Sequence, residues 1–288
     1  MRQYHDLLHD VVSCGEVRKD RTGVGTVSLF SPHTQRYDLR DSFPLVTTKR
    51  VFWRAVVGEL LWMLEGSTSR NRLERITFGT RGENATIWDE WADRDGSLGP
   101  IYGWQWRNWF AATRTCEAGK YGPEYGYWHR YVDQISAVIK GIREDPTSRR
   151  HIVSAWNVGE LDQMALPPCH VLYQFYVNND GRLDCHLFQR SCDLFLGCPF
   201  NIASYSLLTV MVAHVTGLKP GTFFHTIGDA HIYLNHMDAV QELLSRKPLD
   251  LPTVRITKDT NDIFSIGMED IVLEGYAPHP AIKAEVAV

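Results

Sequence analysis

The sequence predicts a single α+β domain whose strands are joined as hairpins and not as regular βαβ units, and three observations carry that expectation. Apolar residues recur at helical spacing near the N-terminus and again in 51–64 and 135–142. A long alternating run over 171–188 folds back on itself at Asn178-Asn179-Asp180-Gly181, and residues 201–216 are almost wholly apolar. No linker, repeat or low-complexity tract divides the 288 residues, so residues 1–288 are expected to share one core.

Taken in order, Tyr4, Leu7, Leu8, Val11 and Val12 mark an amphipathic helix, after which the chain turns at Gly15 and Gly23. Residues 27–30 and 44–47 read as short strands, and 51–64 as a helix stopping at Gly66. Residues 111–130, rich in Gly, Tyr and charge, read as a loop insertion. Ile135, Val138, Ile139 and Ile142 make a second amphipathic helix that ends before Pro146, and 152–156 follows as a strand. Asn201 is by default the N-cap of the apolar helix that Gly217 punctuates.

Thirty Lys and Arg against 34 Asp and Glu leave a formal charge of -4, which provides no basic field for DNA or an anionic membrane. An anion must therefore be met by a local cluster. Six irregularly spaced cysteines make no disulfide scaffold and indicate a reducing compartment. The first ten residues carry charge where a signal peptide needs an apolar stretch, and no run approaches the roughly 18 apolar residues of a spanning helix. A cytoplasmic location is expected.

Cys169 stands in Leu166-Pro167-Pro168-Cys169-His170, where two prolines hold the backbone extended. It is either a small buried hydrophobe or a nucleophile, and the hairpin register bears on the choice. A two-residue turn at Asn179-Asp180 or Asp180-Gly181 pairs Cys169 with Arg190 or with Cys192, leaving Cys169 and Arg190 on one face. A guanidinium there favours the thiolate, whereas a three-residue loop would break the parity. The same register separates Cys185-His186 from Cys169-His170, and no other ligand spacing suggests zinc.

Arg21, Arg149, Arg150 and Arg190, the last followed by Ser191, together suit a phosphate, although each alone also reads as solvated surface charge. Glu59 lies on an apolar helix face, where burial raises a carboxyl pKa unless the side chain snorkels to water. The carboxamide of Asn201 presents donor and acceptor together, and His231 and Tyr233 alternate onto one strand face.

The motifs Leu166-Pro167-Pro168-Cys169-His170, Gln189-Arg190-Ser191-Cys192-Asp193, Gly197-Cys198-Pro199-Phe200-Asn201 and Gly228-Asp229-Ala230-His231-Ile232-Tyr233 resemble the thymidylate synthase family. The likeness runs from Asp20-Arg21-Thr22-Gly23 through Thr47-Thr48-Lys49-Arg50 to Pro278-His279-Pro280. It implies a large mixed β-sheet covered by helices, with one sheet face forming a homodimer interface. It also implies conversion of dUMP and 5,10-methylenetetrahydrofolate to dTMP and dihydrofolate, with no metal, flavin or nicotinamide.

By the same resemblance Cys169 is the thiolate that adds to the pyrimidine, assisted by Glu59, Tyr102, His170 and Arg190. Arg21, Arg190, Ser191 and, from a partner subunit, Arg149 and Arg150 hold the phosphate. Asn201 reads the base, His231 and Tyr233 the ribose, and Asp193 serves both substrates. Folate is implied to lie among Lys49, Ile87, Trp88, Trp91, Asp193, Leu196, Gly197 and Phe200, covered by a tail containing Ala287. Gly58, Asp184 and His186 depart from the commonest family pattern. A dUMP hydroxymethylase and a non-catalytic nucleotide- or RNA-binding homologue are the rival readings.

Overall fold

The computed structural model describes residues 1–115 and 126–286. Helix α1 (Arg2–Cys14) leads into strands β1 (Glu16–Arg18), β2 (Thr26–Phe30) and β3 (Gln35–Asp38). Helices α2 (Trp53–Leu64), α3 (Arg70–Phe78) and α4 (Tyr102–Arg107) follow, then β4 (Trp109–Thr115), β5 (Gly126–Val132), α5 (Gln134–Glu144) and β6 (Ile152–Ser154). The second half runs β7 (His170–Val177), β8 (Arg182–Asp193), α6 (Gly197–Thr216), β9 (Lys219–Tyr233), α7 (Met237–Ser245), β10 (Thr253–Ile256) and β11 (Ile271–Glu274).

Helices and a seven-stranded mixed sheet make the α+β architecture the sequence predicts; the sheet runs β1-β2-β9-β8-β7-β6, with β3 also on β9. The pair β8 and β9 is parallel, and α6 crosses between them. One βαβ unit therefore stands in a fold otherwise lacking regular βαβ repetition, because parallel neighbours need a long connection and the apolar α6 supplies it.

Tyr4, Leu7, Leu8 and Val11 bury the predicted face of α1, and Ile135, Val138, Ile139 and Ile142 that of α5. Residues 44–47 are buried but belong to no ladder; Phe43 N–H instead reaches Pro252 O at 2.7 Å. The 111–130 stretch, expected as a loop, contributes to an antiparallel ribbon of β4 and β5, while residues 116–125 lie outside the described residues. Asn201 is not a cap, since α6 already begins at Gly197 and places the amide in its second turn.

Helix α6 is long and apolar enough by composition to cross a membrane, contrary to the expectation that no run approached such length. Its apolar surface faces protein, with 83% of that stretch buried. Tyr205 on α6 packs edge to face against Trp106 and Tyr173 and stacks on Phe223, joining helix, sheet and α4 in one aromatic core. The opposite sheet face leaves Leu172 and Tyr176 exposed.

The hairpin of β7 and β8 closes through three residues, not two. Asn178 N–H donates to Arg182 O, and Gly181 takes a left-handed φ of 68° that a residue with a side chain resists. Pairing along most of the ladder is accordingly even, with Phe175 opposite Cys185. A β-bulge between His170 and Leu172 then shifts the register by one, so that His170 faces Gln189. A second irregularity on β8 lets the Asp184 carboxylate accept the Thr222 N–H at 2.6 Å, and His186 bonds the Thr226 hydroxyl, which gives both unusual polar residues a local role.

Candidate active site

Because β8 and β9 run parallel, their carboxyl ends lie together, and Asp193 sits opposite His231 while Ser191 sits opposite Asp229. Cys169 enters from the start of β7: its carbonyl accepts the Arg190 N–H at 2.9 Å. The expected Cys169–Arg190 adjacency is present, but the bulge near His170 creates it after the three-residue turn has broken the parity on which the expectation rested.

The Cys169 amide donates to the Tyr102 hydroxyl oxygen at 2.8 Å, tying the strand start to α4. Burial pushes the thiol up from its ordinary value, with the Arg190 guanidinium and Tyr102 pulling it back. The arginine thus acts in the expected direction, yet desolvation outweighs it. The Arg190 guanidinium is itself oriented, donating to Pro168 O at 2.9 Å and Pro167 O at 2.8 Å and lying over the Trp156 ring. The two prolines therefore supply carbonyls as well as rigidity.

Glu59 is partly buried and accepts the Trp88 indole N–H at 2.8 Å. Burial raises its pKa, and that bond opposes the rise. Trp88 is itself buried, packed at 5.9 Å from both Trp62 and Tyr102, so it links Glu59 to the core. His170 lies between the Tyr102 and Tyr205 rings, and burial lowers its pKa to about 4, leaving it neutral near neutrality.

A buried polar relay orients Asn201. His225 Nε2 donates to Gln189 Oε1 at 2.8 Å, and Gln189 Nε2 donates to Asn201 Oδ1 at 3.0 Å. This identifies the amide oxygen and leaves its NH2 group free of that bond. Asp229 Oδ1 accepts His231 Nδ1–H at 3.0 Å, and His231 meets Tyr233 edge to face. Asp193 Oδ1 accepts the Phe195 and Leu196 amides, which turns the chain from β8 into α6.

Arg21 is exposed, with its guanidinium over the Trp91 ring. Ile87 is exposed, and Trp91, Leu196, Gly197 and Phe200 are partly exposed. Lys49 is buried: it donates to Phe195 O and lies over that ring, and burial lowers its pKa to about 8. Arg149 and Arg150 are exposed beside β6 and form no salt bridge among the described residues. Ala287 lies outside the described residues.

Sequence reasoning missed Gln189, His225 and Asp229. Strand alternation puts Asp229 with His231 and Tyr233, a signal that was available, whereas nothing local points Gln189 at Asn201. It also missed Glu74, whose buried carboxylate accepts the Gly82, Glu83 and Asn84 amides and pairs with Arg70, which holds Asp89. These bonds hold the Glu74 carboxyl down to about 2 and, through Arg70, Asp89 also to about 2. The network shapes the loop that carries Ile87 and Trp88.

A partly buried thiol beside an oriented guanidinium, with Tyr102 next to both the thiol and the Glu59 carboxyl and an oriented carboxamide on α6, has the make-up of a site for covalent chemistry through sulfur. The family model for thymidylate synthase matches residues 2–288, essentially the whole chain. The chain belongs to the thymidylate synthase family, and that membership implies a one-carbon transferase that binds dUMP and uses methylenetetrahydrofolate as co-substrate.

Proposed function

We propose that this protein is a thymidylate synthase in the strict sense, reductively methylating dUMP to dTMP, and that the Cys169–Arg190 pairing is the observation carrying that reading. Bound phosphate is met by Arg190, Arg21 and Ser191. Asn201, its oxygen held by Gln189, reads the uracil edge, while His231, its Nδ1–H held by Asp229, and Tyr233 meet the ribose.

The Cys169 sulfur, as thiolate, adds to carbon 6 of the ring, which makes carbon 5 nucleophilic. Methylenetetrahydrofolate supplies the one-carbon unit and then the hydride, and so leaves as dihydrofolate. Glu59 moves protons at O4 and carbon 5, from a partly buried position where desolvation raises its pKa against the Trp88 hydrogen bond. Tyr102 holds the Cys169 backbone, and neutral His170 lines the wall. Partly exposed Trp91, Leu196 and Phe200, together with Ile87 at 58% exposure, offer apolar surface suited to a planar pterin, with Asp193 beside them. Lys49 and the tail complete that side.

The open sheet face carrying Leu172 and Tyr176 fits a second copy of the chain, with Arg149 and Arg150 completing the partner's phosphate site. Full activity from a monomer would overturn this part. The reaction itself is tested by mass spectrometry of the nucleotide formed from dUMP and methylenetetrahydrofolate. Formation of dTMP with dihydrofolate, abolished by Cys169→Ser, supports the synthase. A product heavier by one oxygen identifies a hydroxymethylase, and no covalent change in the base identifies a binding protein.

A further inference from the structure

Among the described residues, the segment 275–286 that follows β11 has no regular secondary structure, yet its path is pinned at successive points. Tyr276 OH donates to Val46 O at 2.7 Å, and His279 N–H to Thr47 O at 2.8 Å. Arg246 then bridges two carbonyls, Thr48 O at 2.8 Å and Pro280 O at 2.7 Å. Beyond Pro280, Ile282 and Ala284 pack partly against the core, and His236 Nε2 donates to Glu285 O at 2.7 Å. A carbonyl can only accept, so this bond fixes the proton on Nε2.

His236 is fully buried, and its ring is seated between Phe195 at 5.4 Å and Tyr233 at 5.6 Å. Those neighbours belong to the two substrate walls. Tyr233 stands on the proposed nucleotide side, while Phe195 takes an N–H bond to Asp193 and accepts Lys49 through its carbonyl. We propose that His236 is the positioning residue that latches the C-terminal segment, through Glu285, onto the wall shared by the nucleotide and folate sides. It touches neither reacting atom and acts by holding the segment that keeps water from the reacting carbon. The inference rests on the proposed function, in which the tail completes the folate side, and on the covering role that the family resemblance implies for it.

The test separates the two. His236→Phe keeps a ring of similar shape and removes the donor, and His236→Gln restores a donor. Hydrogen exchange at residues 281–286, read without turnover, should accelerate about tenfold in H236F, the effect of losing one hydrogen bond. In the same variant kcat should fall while KM for dUMP changes little, the share of oxygen-containing nucleotide should rise, and H236Q should recover most of the loss. Unchanged exchange in a folded H236F, faster exchange with unaltered kcat and product, or failure of glutamine to rescue would overturn the latch. Independently of any variant, nitrogen-15 spectra of wild-type histidines should contain a slowly exchanging Nε2–H from His236; a freely exchanging proton overturns the proposal. Failure of wild-type protein to make dTMP would instead overturn the proposed function while leaving the exchange result intact.

Discussion

Gly58, an unusual residue before Glu59, sits at a close approach of α2 to Thr77 of α3, and Gly58→Ala tests what that approach does. A Cβ at position 58 would lie 2.2 Å from Thr77 Oγ1, 3.0 Å from Thr77 Cβ and 3.2 Å from Thr77 Cα. Rotating the threonine removes only the first clash, and Thr77 is buried with its carbonyl accepting Arg54. The helices must therefore part. Overpacking of this kind costs about 1–3 kcal/mol, and the three contacts place it near the upper end. Replacing glycine within a helix returns about 1 kcal/mol of propensity, leaving a net loss of about 2 kcal/mol.

Denaturant unfolding at fixed protein concentration measures that loss. Adding Thr77→Ala should recover part of it, with a coupling of about 1 kcal/mol between the two sites, because Oγ1 goes and Cβ stays. Moving α2 also draws Glu59 from the Trp88 indole, so kcat should fall more than dUMP affinity. A Gly58→Ala protein as stable as wild type would refute the close-packing argument.

The remaining predictions concern charge and recognition. Burial holds His170 to about 4 and His225 to about 3, so both are neutral when folded and protonate near 6.5 when unfolded. Their contribution is full above that value and is lost as pH falls towards 4 and then 3, at up to about 1.4 kcal/mol per pH unit for each. His5 and His186, also lowered, add the same sign, while raised Glu59 and Asp184 oppose it. Denaturant titrations at about pH 7 and about pH 5 should show falling stability, and a flat profile would contradict neutral burial. Arg190→Lys cannot reproduce the paired bonds to Pro167 and Pro168, so iodoacetamide should alkylate Cys169 more slowly at neutral pH; an unchanged rate would remove the arginine from thiol activation. Asn201→Asp keeps an acceptor for Gln189 but loses the NH2 group, and should shift the ratio of kcat/KM values from dUMP towards dCMP; unchanged selectivity would remove its reading role.

What the sequence determined by itself were the features written in local periodicity. The buried faces of α1 and α5, the long hairpin and the apolar α6 follow from which side chains must leave water, and spacing alone encodes that. The family motifs also single out Cys169, Arg190, Asn201, His231 and Tyr233 as the residues to look for, without saying how they meet. Tertiary structure decided how those residues face one another. The bulge near His170, the parallel union of β8 with β9, and the Gln189 and Asp229 contacts join groups distant along the chain or shift a ladder by one residue. Such choices are settled by packing and by satisfying buried backbone and side-chain polar groups together, and no window of neighbouring residues contains that balance.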